Sequence, residues 1–503
     1  MELPRSFGIL LHPTSFPGPY PIGNLGDEAR SFLDWLAATG ARWWQVLPLG
    51  PTGFGDSPYQ AFSAFAGNPY LIDPRRLVAR GWLEAADPPE SPPDRVDYGL
   101  VYRWIWPLLR RAYAGFRARA TREDTHALAV FEREHADWLE DYALFMALKG
   151  EHGGAPWWSW PEPLKRRDPG ALAAARERLA EEAAFQRWTQ WVFFSQWRAL
   201  ANAAHDLGLG IVGDMPIFVA HDSADVWAHP ELFQLDEDLN PVAVAGVPPD
   251  YFSPTGQLWG NPLYDWDALE RSGFDWWLRR IRRALETADL VRIDHFRGFE
   301  AYWAVPAGAP TAEHGRWEKA PGEAFFRKVE ATFGSVPILA EDLGLITPEV
   351  EALRDRFGLP GMKVLQFAFT GEDNPFLPHN YPESGNCVVY TGTHDNDTTR
   401  GWCEHAPDAE LDFMRRYLEG RGIACRGCQD APWALIELAL QSRCRMAVFP
   451  LQDPLELGSE ARMNFPSRPE GNWAWRYSTR DLTHGLAERL RGLAERYARL
   501  RRG

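Results

Sequence analysis

LVRIDHF, residues 290–296, is a short apolar run that leads into an aspartate, Asp294, and two other stretches repeat the pattern. PILAEDLG (337–344) delivers Glu341, and VVYTGTHDND (388–397) delivers Asp395. A strand that runs out into a carboxylate leaves the acid at the rim of a sheet, within reach of substrate. Runs this short, apolar on both faces, read as buried parallel strands. Working outward gives FGILLHP (7–13), WWQVLPL (43–49), LGIVGDMPIF (209–218), KVLQFAF (363–369), NCVVYTGTHDN (386–396) and CRMAVFPLQD (444–453). With LVRIDHF and PILAEDLG these make eight. Helical periodicity lies between them, at 27–39, 274–285 and 348–357, the last with Thr347 as N-cap. Alternating strands and helices in this number predict an α/β fold, a (β/α)8 TIM barrel whose site sits at the carboxyl ends of the strands.

The chain has 503 residues. A plain barrel needs only about 250, so the sequence is read as a single catalytic barrel over 1–503 with large helical and loop insertions. Residues 73–205 read as a mainly helical subdomain, punctuated by DPPESPPD (87–94) and GGAPWWSWPEP (153–163). Residues 219–264 read as a second, lid-bearing subdomain, and 307–321 as a third, shorter insertion. Within the second, VAGVPPDYFSPTGQLWGNP (244–262) reads as a semi-rigid loop lid over the site. An Arg-rich helix (487–502) closes the chain, and no C-terminal β-sandwich domain is expected.

The formal net charge of −16 argues against nucleic acid as a partner and suits a neutral ligand. No apolar stretch reaches the roughly 18 residues needed to span a bilayer, so no membrane partner is expected. The opening MELPRSFGILLHP has no signal-peptide pattern. The cysteines Cys387, Cys403, Cys425, Cys428 and Cys444 are few, odd in number and late in the chain, and read as ordinary loop thiols of a reducing cytosol. The expected location is therefore cytoplasmic. Cys425 and Cys428 form a lone CxxC without two further ligands at zinc spacing, so no metal is expected.

Three acids at one rim suit a glycosidic bond, which needs an anion for the sugar carbon and a proton donor for the leaving oxygen. Arg292 lies two residues before Asp294, so both side chains point to the same face, and a fixed guanidinium suits an anionic nucleophile or stabiliser. Glu341 has the opposite need: it must hold a proton part of the time, which nearby anions promote. His394 beside Asp395 suits gripping of sugar hydroxyls. Asp214 ends the third strand, placed to bind substrate and to brace Arg292. Of the tryptophans, Trp188, Trp191 and Trp197 sit in a helical pattern and read as core. Tyr59, Tyr251, Phe252 and Trp259 lie in loops near the site and read as sugar platforms.

PTGFGDSPYQ (51–60), GDMPIFVAHDSADVW (213–227), AGVPPDYFSPTGQLWGNPLY (245–264), VRIDHFRGF (291–299), LAEDLG (339–344) and YTGTHDNDT (390–398) closely resemble the amylomaltases. These are the 4-α-glucanotransferases, or disproportionating enzymes, of glycoside hydrolase family 77 in the α-amylase superfamily. The resemblance runs from HPTSFPGPYPIGNLG (12–26) to ARMNFPSRPEGNWAWR (461–476). It implies Asp294 as nucleophile, Glu341 as general acid/base and Asp395 as the third acid that holds and distorts the sugar. It puts Arg292, His394, Asp214 and Tyr59 around that sugar, with His295, Trp259 and Asn464 nearby. It further implies no cofactor, α-1,4-glucans as donors, and a second glucan or glucose as acceptor through its 4-hydroxyl. Phe54 departs from the pattern, standing where a close relative would have tyrosine. An α-amylase-type hydrolase, which shares the three acids, is the alternative reading; a non-catalytic glucan-binding barrel is disfavoured by the intact set of acids and Arg292.

Overall fold

A computed structural model describes residues 3–249, 253–334, 337–466, 468 and 470–501, without the side chain of Phe54. In chain order the strands are β1 (Ser6–Leu10), β2 (Trp43–Gln45), β3 (Gly210–Pro216), β4 (Ala243–Val247), β5 (Gln257–Pro262), β6 (Leu290–Asp294), β7 (Ala301–Pro306), β8 (Arg316–Lys319), β9 (Ile338–Ala340), β10 (Gly361–Val364), β11 (Cys387–Tyr390) and β12 (Met446–Pro450). Eight of them, β1, β2, β3, β6, β9, β10, β11 and β12, close into a parallel barrel, with β12 pairing back onto β1. These are the eight expected runs. The ladders are shorter than the apolar runs, but β3 and β6 carry Asp214 and Asp294 within them. At 363–369 the strand sits earlier, at Gly361–Val364, and Leu365–Phe367 turns into a 3₁₀ segment.

The barrel closes because its strands are apolar on both faces. Phe7, Ile9, Val388 and Val389 are fully enclosed. Gly8 is required by packing: a Cβ there would meet the Trp43 backbone oxygen at 2.6 Å. The helices at Asp27–Ala38, Asp275–Thr287 and Pro348–Arg356 match their expected spans within a few residues. Thr347 occupies the N-cap of the last without accepting an amide. Between β2 and β3 the chain is helical, including Tyr98–Arg119, Ala136–Glu151 and Ala180–Asp206. Trp188, Trp191 and Trp197 are buried there.

Two readings need correction. VAGVPPDYFSPTGQLWGNP is not a loop throughout: its two ends are β4 and β5, which pair antiparallel and join β7 and β8 in a four-stranded sheet, order β5–β4–β7–β8. The other edge of β4 is completed by β7, far along the chain, which local spacing does not announce. Only 248–256 is left as a connection, and of these Asp250, Tyr251 and Phe252 lie outside the described residues. The cysteines are not loop thiols. Cys387, at the start of β11, pairs with Cys444, two residues before the neighbouring β12, and Cys403 pairs with Cys428, leaving Cys425 as the free thiol. Among the described residues no helix is long and apolar enough to cross a membrane.

Candidate active site

The site begins where β6 and β9 end side by side. Their register pairs Arg292 with Leu339 and Ile293 with Ala340, so the next residues along, Asp294 and Glu341, leave the barrel as neighbours at its carboxyl rim. The Glu341 amide still bonds the Ile293 carbonyl at 3.1 Å.

Arg292 is buried and organises the floor. Its Nη2 donates to Asp294 Oδ1 at 2.7 Å, and its Nη1 donates to both Asp214 oxygens at 2.8 and 2.7 Å. Burial alone would lower its pKa, but Asp214 and Asp294 hold it well above the ordinary value, so the cation is permanent. Asp214 is enclosed completely, with Tyr59 donating a further hydrogen bond at 2.8 Å. Its carboxylate therefore braces Arg292 and Tyr59 and presents no surface of its own to a ligand. Burial raises the Tyr59 hydroxyl pKa far above its usual value, so it stays a donor.

Glu341 is placed in the opposite electrostatic setting. Its Oε2 accepts the His295 amide at 2.6 Å and its Oε1 the Leu343 amide at 2.8 Å. Burial, followed by the charge of Asp294, outweighs those two bonds and pushes its pKa up to about 8. The His295 amide can point there because His295 adopts a left-handed backbone, φ 55°. For a residue with a Cβ that conformation costs roughly 1–2 kcal/mol, a strain of the kind that gathers at working sites. Burial depresses the His295 ring to about pKa 4, leaving it neutral, with Nε2 enclosed and unpartnered. Trp259 on β5 packs edge-on against it at 4.7 Å.

Asp395 arrives five residues beyond β11 and is half exposed. Asn464 donates to its Oδ1 at 2.7 Å, and Arg462 to its backbone oxygen at 2.6 Å. His394 reaches the same Oδ1 at 3.4 Å and stacks on Tyr59 at 5.1 Å. A continuous path thus links Asp395, His394, Tyr59, Asp214, Arg292 and Asp294. After burial, the acid that raises Glu341 is Asp294; Asp395 is tied to Asn464 and open to solvent. Tyr251, expected at the site, lies outside the described residues.

Sequence reasoning missed Asp453 and Trp473. Asp453 follows β12 and takes the Thr399 amide and hydroxyl, both at 2.8 Å, fixing the chain after Asp395. Its signal was available, since MAVFPLQD is another apolar run that ends in an acid. Trp473 packs on Tyr59 at 5.8 Å and His394 at 5.9 Å from a left-handed backbone, φ 61°, and nothing in its local sequence points there.

A family model described as 4-alpha-glucanotransferase matches residues 11–483. A 4-alpha-glucanotransferase of Thermus thermophilus is 64% identical over 501 residues, covering 99% of this chain and 100% of that protein. One of Synechocystis is 49% identical, covering 98% of each. A chloroplastic/amyloplastic 4-alpha-glucanotransferase of Solanum tuberosum is 44% identical, with 99% of this chain aligned to 87% of that protein. The solved amylomaltase from Streptococcus agalactiae in complex with acarbose superposes with TM-score 0.94 at 38% identity, covering 99% of this chain and 100% of that one.

Proposed function

The chain belongs to the 4-alpha-glucanotransferase family, and from that premise we propose that Asp294, Glu341 and Asp395 perform the transfer. Its activity is that of a 4-α-glucanotransferase, not of a hydrolase. One observation carries the residue assignment: neighbouring strands present one carboxylate ion-paired to a buried arginine and one carboxyl whose pKa is pushed up to about 8.

The double displacement follows from that asymmetry. Asp294 Oδ attacks the anomeric carbon as Glu341 gives its proton to the departing 4-oxygen, which leaves with the reducing-end fragment. The glycosyl stays on Asp294. Glu341, now an anion held by two backbone amides, takes the proton from the 4-hydroxyl of an incoming glucan or glucose, and that oxygen displaces Asp294. Two inversions retain the α-configuration. Asp395, set by Asn464 and His394, grips hydroxyls of the same sugar, and Arg292 holds the charge of Asp294. Tyr59, His295, Trp259 and Asn464 complete the sugar's surroundings, with Tyr251 of the β4–β5 connection as a further platform. Asp214 contributes by holding Arg292 and Tyr59. No cofactor enters these steps.

We treat 1–503 as one catalytic barrel carrying the helical segment 73–205 and the segment 219–264 as insertions. Cytoplasmic residence is part of the proposal, to be checked by cell fractionation, and must accommodate two cysteine pairs. The test of activity is maltotriose alone. The protein should yield glucose together with oligomers longer than maltotriose, read by chromatography. Shorter products only would mean hydrolysis and end this reading.

A further inference from the structure

Among the described residues four large apolar side chains stand well into solvent: Val242, Leu258, Trp317 and Leu345. Trp317 lies on β8, and the sheet register aligns Leu258, Gly246, Trp303 and Trp317 in one transverse row. Partners in register share a face of a sheet. The other face carries Trp259 and Tyr302, which pack against His295 and Phe218 beneath.

Trp317 is 42% exposed, yet it is held in place. Arg297 lies over one side of its indole, 3.8 Å from the ring centre, and Trp303 meets it edge-on at 5.2 Å. Arg297 is itself buried: its Nε donates to the Ala301 carbonyl at 3.3 Å and its Nη1 to the Leu345 carbonyl. Leu345 is 47% exposed. One guanidinium therefore ties a fixed, open aromatic face to both catalytic segments, because Arg297 follows Asp294 by three residues and Leu345 follows Glu341 by four.

We propose that Trp317 and Leu345 form an outlying glucan platform, which takes the part of a long α-1,4-glucan beyond the sugars held at the carboxylates. The proposal rests on the transferase reading above. A pyranose presents a C–H face that stacks on an aromatic ring, and a ring already packed on one side offers the other without an entropy cost for ordering. Lys319, two residues on and therefore on the same face of β8, is 73% exposed and offers a donor to sugar hydroxyls beside Trp317. A single indole bordered by charges is too small an apolar area for a stable protein interface, which buries about 800 Å² per partner. Continuity with the catalytic turns makes the substrate polymer itself the occupant.

The experiment compares kcat and KM of wild type and Trp317→Leu on maltotriose and on long-chain amylose. Leucine keeps an apolar cover over Arg297 but removes the flat ring. The variant should match wild type on maltotriose, while its KM for amylose rises about three- to tenfold, the range of one aromatic contact, at unchanged kcat. Trp317→Phe should keep most of the amylose affinity, and Leu345→Ser should lose it in the same sense. An unchanged amylose KM in Trp317→Leu overturns the platform, and so does an equal loss on both substrates, which would mean that Trp317 only secures Arg297. Should Trp317→Leu not fold, the Leu345→Ser and Trp317→Phe pair decides by the same comparison. Wild-type disproportionation of maltotriose, measured in the same series, separates failure of the platform from failure of the transferase reading.

Discussion

Glu341 is pulled two ways. Two backbone amides favour its anion, while burial and Asp294 favour the acid and prevail. Its pKa is about 8 in the fold against 4.5 for a free glutamate, so between those values the folded state binds more protons than the unfolded one. The stability this contributes is complete below pH 4.5 and disappears as pH rises through about 8. Glu341→Gln removes the titration, and it also leaves one of the His295 and Leu343 amides without an acceptor, a pH-independent cost of about 1–3 kcal/mol. The variant should be less stable than wild type at pH 5, and denaturant titration should show the gap closing by up to about 1.4 kcal/mol per pH unit and reversing before pH 8, where wild type carries the buried anion. A constant gap would remove the shifted acid. In wild type, kcat/KM should fall as pH rises through about 8, because the acid form is lost. In the variant, kcat on maltotriose should fall by about 10²–10⁴. With an α-glucosyl fluoride, whose leaving group needs little protonation, the variant should accumulate a glycosyl adduct on Asp294, visible by intact-protein mass and peptide mapping. Asp294 and Glu341 were legible because apolar runs lead directly into them. The left-handed turn of His295 that aims an amide at Glu341 was not, since φ is decided by the packing of β6 against β9.

At the scale of elements, the barrel could be read from composition because each strand is apolar on both faces and announces itself locally. The four-stranded sheet could not. AVAGV and QLWGNP are short and contain glycine or proline, and AVAGV pairs on its other side with AYWAVP, more than fifty residues later, a contact no period of two or 3.6 encodes. The cysteines failed for a related reason: their spacing suggested nothing, and only the barrel brings together the start of β11 at Cys387 and the approach to β12 at Cys444. Cys403 lies in the helix Thr399–His405, which starts where Asp453 fixes the chain after Asp395. Its bond to Cys428 spans 25 residues, and closing a loop of that size is worth about 3 kcal/mol in the chain-entropy account. Cys403→Ser should therefore lower the guanidinium midpoint by that equivalent and weaken maltotriose turnover through the Asp395 loop. Thiol titration of the denatured, unreduced wild type should find one reactive cysteine, Cys425. Five reactive thiols, or an unshifted midpoint, would reject the pairing.

For the molecule as a whole, the question is why transfer wins over hydrolysis, since the same two carboxyls can activate water. A barrel alone leaves its carboxyl rim open. Here β5 comes to that rim, with its Trp259 packed on His295, and residues 248–256 join it to β4. Water at about 55 M is always the more abundant acceptor, so a glucan competes only where the site excludes solvent and supplies binding surface. We propose that the connection provides both, with Tyr251 and Phe252, which lie outside the described residues, as the acceptor's aromatic contacts. Deleting 249–254, which leaves Trp259 and the sheet pairing at Gln257 in place, should raise hydrolysis relative to transfer severalfold. With maltotriose as sole substrate, the readout is new reducing ends against oligomers longer than maltotriose. Maltotriose consumption should fall less than transfer does, because the first displacement needs only the carboxyls and the donor's own subsites. A ratio equal to wild type would make the connection structural only. A parallel loss of both products would place it on the donor side of the cleft, where it would hold the sugar that is cut and not the one that receives it.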